Sequence, residues 1–402
     1  MKILFAFGVL ILVSFLGARF LFRKRASFSP ISYFFFSGMI YIFFGLFLGR
    51  FGVKVLTGDV LKNLDPLVHL CLGWVGFIFG FQFEYKYIRR FPQKYVGLSF
   101  LQSLFIIVLV SVSFCILLPL LYAEQDYFML YGMAIAMGLL LSLSSPSLIN
   151  FFSRRLPSGG NYCYLARFLS GVNGFWGVLG MSLIISFWHY PFFSTGITTR
   201  GLIFLVVSVL FPVFLGYLFH FLTMGRSESG DLLVFLLGMV FFAAGAATYF
   251  HLSSLFVCMI LGVTYSNLTS LQGKIYPLLI STEKPFYIVF LIFIGAMWEF
   301  TFDLKIGLIV FILVGLRIAG FLLPLRFFGR LLKFPFPVPA RFGLCFFSSG
   351  GIALAFIVSF KLLYPLEMTN VFVSAAILAT IAGEFLGPWG LKKSILILDE
   401  KR

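Results

Sequence analysis

The chain has 402 residues, 61% of them hydrophobic and only 11% charged, with a mean hydropathy of +1.05. That composition excludes a water-soluble domain, and the lack of period-two alternation excludes a β-barrel, which leaves an all-α polytopic membrane protein. The formal charge of +16 does not indicate nucleic acid, because the basic residues sit at the ends of apolar blocks rather than on a soluble arm.

Taken in chain order, the apolar blocks predict thirteen spans: 3–22, 31–49, 66–83, 96–121, 127–152, 162–188, 202–222, 232–250, 252–267, 276–297, 306–327, 342–360 and 369–390. The first block is too long for the apolar part of a cleaved signal and no small-residue cleavage site follows it, so it is read as a span. The joints are short, and residues 1–395 are expected to form a single transmembrane domain with a cytoplasmic tail at 396–402. Most of the 30 Lys and Arg then fall on one side of the membrane, which predicts an outer N-terminus and a cytoplasmic C-terminus. Short joints and no targeting extension point to a bacterial inner membrane.

Two spans are interrupted in matching ways. The fifth reads LLLSLSSPSLINFF, where Pro146 removes a helix hydrogen bond and Ser142, Ser144, Ser145 and Ser147 offer hydroxyls to freed carbonyls. The twelfth reads GLCFFSSGGIALAF, where Ser348, Ser349, Gly350 and Gly351 make an equally poor helix interior. Each is the middle of a three-span unit, about 96–190 and 306–390, and the two units have opposite orientation. That is the layout of inverted repeats with discontinuous helices, which secondary transporters use to build a site at the bilayer midplane.

Polar residues inside the spans narrow the site. Arg317, in FILVGLRIAGFLLPL, is too deep to snorkel and would neutralise the negative C-terminal ends of half-helices or serve as a partner for backbone carbonyls. Asn173, in FLSGVNGFWGVLG, shares a helix face with Ser170, Gly174 and Gly177, as an ion ligand or as a bond between packed helices. Glu84, Glu283 and Glu384 fall near span ends or beside a basic residue and are read as solvated or interfacial. The five cysteines have no metal spacing, no Walker loop or HExxH is present, and no cofactor, metal or catalytic residue is expected.

Together these features resemble the cation/proton antiporter superfamily, in its Kef-like and Na+/H+ exchanger branch. LGWVGFIFGFQFEYKYIRRF resembles that family's third span, HLSSLFVCMILGVTYSN its Gly-Leu-Ser segment, and EKPFYIVFLIFIGAMWEF its Phe-rich span beside the pore. SSPS stands where members carry their first helix break, and LVGLRIAG places Arg317 at the central basic position. The departure is in the sixth span: against Gly-Glu-Ser-Leu-Leu-Asn-Asp, Ser170 and Asn173 agree, but Leu169 replaces the first acid and Gly174 the ion-binding Asp. The resemblance implies a homodimer in membrane lipid exchanging Na+ or K+ for H+ by alternating access, at a site drawn from Ser144, Ser145, Ser147, Ser170, Asn173, Gly174, Arg317, Ser348 and Ser349. The lost Asp opens two alternatives: an anion or carboxylate transporter built on Arg317, or a non-transporting sensor or partner-binding protein on the same fold.

Overall fold

The structure, a computed structural model, describes residues 8, 10, 30–122, 127–153, 161–187, 197–223, 229–299, 303–331, 339–364 and 367–396. Apart from residues 8 and 10, the expected first span at 3–22 lies outside these, as does the tail beyond Leu396.

The long helices follow the apolar blocks. They are α1 (Pro30–Phe36), α2 (Ile40–Leu48), α3 (Asp65–Phe81), α4 (Gln93–Leu121), α5 (Tyr127–Ser142), α6 (Ser147–Ser153), α7 (Asn161–Phe187), α8 (Ile197–Thr223), α9 (Ser229–Tyr249), α10 (Ser254–Leu268), α11 (Gln272–Met297), α12 (Leu304–Leu331), α13 (Gly350–Leu363) and α14 (Glu367–Leu391). A 3-10 segment, Ala340–Phe346, precedes α13. Among the described residues, eight helical stretches, with α5 and α6 counted together as one, are long and apolar enough to cross a membrane, nine if the bent pair α1–α2 is one span; α3, α10 and α13 are shorter apolar helices. The protein is an integral membrane protein, while the count of thirteen spans stays an expectation.

Packing sorts these helices into an interior and a rim. The fifth and sixth spans and α14 bury most of their residues, whereas α4 and α8 bury only 22% of theirs and turn broad apolar faces outward, as lipid-facing helices must. Close pairs are α3 with α10, α4 with α5, and α2 with α11. At the first of these the backbones touch: a Cβ on Gly80 would strike the Met259 carbonyl, so a larger residue there would force the pair apart.

The second span, expected to be continuous over 31–49, is bent by 56° between α1 and α2. Gly38 at the bend has φ +75, a conformation open to glycine and strained for other residues. The bend directs α1 toward α14 and places Tyr33 in the interior.

Candidate ion site at the helix breaks

Both interruptions read from the sequence are real breaks, and they meet. Helix α5 ends at Ser142, α6 begins at Ser147, and the connection between them runs through Leu143, Ser144, Ser145 and Pro146. The 3-10 segment ends at Phe346 and α13 begins at Gly350, leaving Phe347, Ser348 and Ser349 non-helical. The Ser145 N–H donates to the Ser348 carbonyl at 2.9 Å, so each break satisfies backbone that the other has freed. Gly350 has φ +62, and a Cβ there would lie 2.6 Å from the Ser145 Cβ. The crossing therefore needs glycine at 350 for both conformation and space. Gly351 packs against the Tyr287 ring of α11.

Two buried charges complete the crossing. Arg317, 2% exposed on α12, donates from one terminal nitrogen to the Leu143 carbonyl at 2.7 Å and the Phe346 carbonyl at 3.3 Å. These carbonyls lie at the C-terminal ends of α5 and the 3-10 segment, where unpaired C=O groups carry partial negative charge. One guanidinium thus ties the two half-helix ends together, as its depth in the sequence indicated. Its Nε is buried without a partner.

The second charge corrects the sequence reading. Glu384, expected to be solvated or interfacial, is fully buried on α14. Its carboxylate accepts from the Gly350 N–H at 2.7 Å and from the Ser348 hydroxyl at 3.0 Å to each oxygen. The Gly350 N–H is one of the orphan donors in the first turn of α13, so the acid sits where a helix N-terminus favours an anion. The misreading came from helix length: α14 continues to Leu391 and is prolonged by a π turn, Lys392–Leu396, so Glu384 is farther from a helix end than the apolar block implied. Glu283, by contrast, is exposed.

The remaining predicted residues divide into two groups. Ser144 belongs to the crossing and donates to the Ser170 carbonyl at 3.0 Å, while the Ser170 hydroxyl turns back to the Arg167 carbonyl at 3.0 Å. Ser145 and Ser147 hydrogen-bond each other at 2.9 Å, and Ser349, fully buried beside Gly350, has no partner for its hydroxyl. Asn173 lies on the far side, toward α4. Its Oδ1 accepts from Ser99 and, at 3.5 Å, from Ser103, and its Nδ2 donates to Gln102 Oε1 at 3.3 Å. These three α4 residues were not picked out from the sequence, although Ser99, Gln102 and Ser103 share a helix face at spacings of three and four.

The position of the missing acid is closed by packing. A Cβ on Gly174 would lie 2.8 Å from the Phe79 ring and 3.0 Å from the Ser144 carbonyl oxygen. A carboxylate there would meet an aromatic ring and another acceptor. Among the described residues no group of three His, Cys, Asp or Glu could hold a metal.

No family model matches the chain, and no curated protein matches it. Solved structures do. The sodium proton antiporter MjNhaP1 from Methanocaldococcus jannaschii at pH 8 superposes with a TM-score of 0.69 at 15% identity, covering 99% of both chains. The electron-microscopy map of the same antiporter gives a TM-score of 0.66 at 12% identity, over 90% of this chain and 92% of that one. A match over nearly the whole of both chains, with two crossed breaks at its centre, shows that this chain has the fold of a sodium proton antiporter.

Proposed function

We propose that the chain is a secondary transporter that exchanges a monovalent cation, Na+ or K+, for H+ by alternating access, with Glu384 as the group that carries one or the other. One observation carries this reading: a fully buried carboxylate is held at the crossing of two broken helices by a backbone N–H and a serine hydroxyl. A carboxylate in lipid is costly when ionised without a counter-charge, so a proton and a small cation are its natural alternative occupants. Ser348 and the unpartnered Ser349 supply neutral oxygens next to it, the ligand type that a hard monovalent cation prefers. Arg317 is already committed to the two half-helix ends and holds the frame of the site.

The anion alternative rested on a positive site with its acid gone. Glu384 supplies that acid, which removes the premise. The frame we propose comprises inverted repeats at about 96–190 and 306–390, a homodimer in the membrane, an outer N-terminus and a cytoplasmic C-terminus.

The test uses proteoliposomes carrying an inside-acid pH gradient, to which Na+, K+ or Li+ is added in turn while lumenal pH is followed. Dissipation of the gradient by one of these cations is expected, and its loss in Glu384→Gln, which keeps size and one acceptor oxygen but cannot titrate. Exchange that persists in Glu384→Gln refutes the assignment of the carrier; a wild-type protein that moves protons with none of these cations refutes the exchanger.

A further inference from the structure

A buried carboxylate that exchanges protons needs a path to water, and the hydroxyls around Glu384 line up as one. Tyr33, 1% exposed, reaches from α1 to the crossing, where its hydroxyl lies 3.0 Å from Ser348 Oγ and 3.4 Å from Ser147 Oγ. Ser147 Oγ is in turn 2.9 Å from Ser145 Oγ. Ser147 is exposed and Ser145 half-exposed, so the series Glu384, Ser348, Tyr33, Ser147, Ser145 runs without a gap from a fully buried acid to open surface.

We propose that this series is the proton path of the exchanger, with Tyr33 as the relay at its centre; the proposal rests on Glu384 being the carrier. The direction of each bond follows from the first. An ionised Glu384 accepts only, so the Ser348 hydrogen points to it; Ser348 Oγ then accepts from Tyr33, Tyr33 accepts from Ser147, and Ser147 accepts from Ser145. Every donor points toward the acid. A proton arriving at Ser145 Oγ is matched by one step along each bond: Ser145 gives its hydrogen to Ser147, Ser147 to Tyr33, Tyr33 to Ser348, and Ser348 to Glu384. One proton enters, the carboxylate gains one, each oxygen ends neutral, and rotation of the hydroxyls restores the starting order.

Two features of the surroundings fit conduction. The Tyr33 ring is held between Phe151 and Phe152, with centroids at 5.7 and 6.0 Å, which fixes its hydroxyl between the two serines. On α6, Ser147 and Asn150 are both exposed at a spacing of three, a polar stripe that a lipid-facing half-helix would not carry. Among the described residues, the charge that also faces this carboxylate from a packed helix is Arg317, which stays bound to carbonyls.

The experiment compares wild type, Tyr33→Phe, Ser147→Ala and Glu384→Gln in the same vesicles, in H2O and in D2O, with the cation varied. In Tyr33→Phe the maximal exchange rate is expected to fall about tenfold or more, the range for loss of a positioned proton-transfer group. The apparent KM for the cation should be unchanged, and a solvent isotope effect should appear that wild type lacks. Ser147→Ala, at the exposed end where no core packing is disturbed, should show the same signature. Wild-type rates in both variants, or a slower Tyr33→Phe with a raised KM and no isotope effect, overturn the relay while leaving Glu384 as carrier. Exchange surviving in Glu384→Gln removes the carrier itself, whatever Tyr33→Phe does.

Discussion

Replacing Gly350 by alanine probes whether the two breaks touch. A left-handed alanine costs about 1–2 kcal/mol by itself. The new Cβ would also lie 2.6 Å from the Ser145 Cβ, and overpacking of that kind costs about 1–3 kcal/mol more. Ser145→Gly in the same chain removes the obstructing side chain and leaves the backbone cost in place. The two costs are therefore separable in a double-mutant cycle: Gly350→Ala alone should destabilise by about 2–5 kcal/mol, and the double variant should recover the steric part, a coupling of about 1–3 kcal/mol. The assay is reversible unfolding in mixed micelles, followed by tryptophan fluorescence. If Gly350→Ala costs the same with serine or glycine at 145, the breaks do not contact each other at this point, and the site built on their crossing is wrong.

Two further variants test the charges and the vacant position. Arg317→Met removes a charged donor from the carbonyls at both half-helix ends, and at about 1.5–3 kcal/mol for each such bond a loss of about 3–5 kcal/mol is expected in the same unfolding assay. Arg317→Lys should keep the charge but bridge the two carbonyls poorly, and fall between; a fully stable Arg317→Met would show that the bridge carries no load. Gly174→Asp, which puts an acid into the sixth span where the resemblance implied one, should lower stability by about 1–3 kcal/mol through its contacts with Phe79 and Ser144. It should also fail to restore exchange to Glu384→Gln in vesicles, and restored exchange would mean that position 174 has room for an ion-binding acid after all.

Much of this arrangement is written locally. Pro146 and the serines around it cannot sustain a helix in lipid without other partners, nor can Ser348–Gly351, and both became breaks. Arg317 could be placed at the half-helix ends because a guanidinium so deep needs several carbonyls, and broken helices supply them. Glu384 and Tyr33 were missed for a different reason. Depth was judged from distance to the end of an apolar block, but the depth of Glu384 depends on how far α14 continues, and that of Tyr33 on a bend at Gly38 whose left-handed backbone leaves no mark in hydropathy. The Asn173 cluster was legible on one side only: the α7 stripe was read, while its α4 partners Ser99, Gln102 and Ser103 scarcely interrupt an otherwise apolar run.

The position of the acid then follows from the crossing. In the proposed inverted repeat, α7 and α14 are the third spans of their units, and each lies beside its own unit's break: Ser144 bonds the α7 backbone at Ser170, and Ser348 bonds α14 at Glu384. Because the breaks touch through Ser145 and Ser348, a carboxylate on either third span reaches the same junction. With Gly174 filled by the Phe79 ring, α7 has no room for one. On α14 the orphan N–H of Gly350 and the Ser348 hydroxyl are free to receive it. The proposed exchange needs one titratable group at the junction, and this geometry lets the second of the proposed repeats supply it.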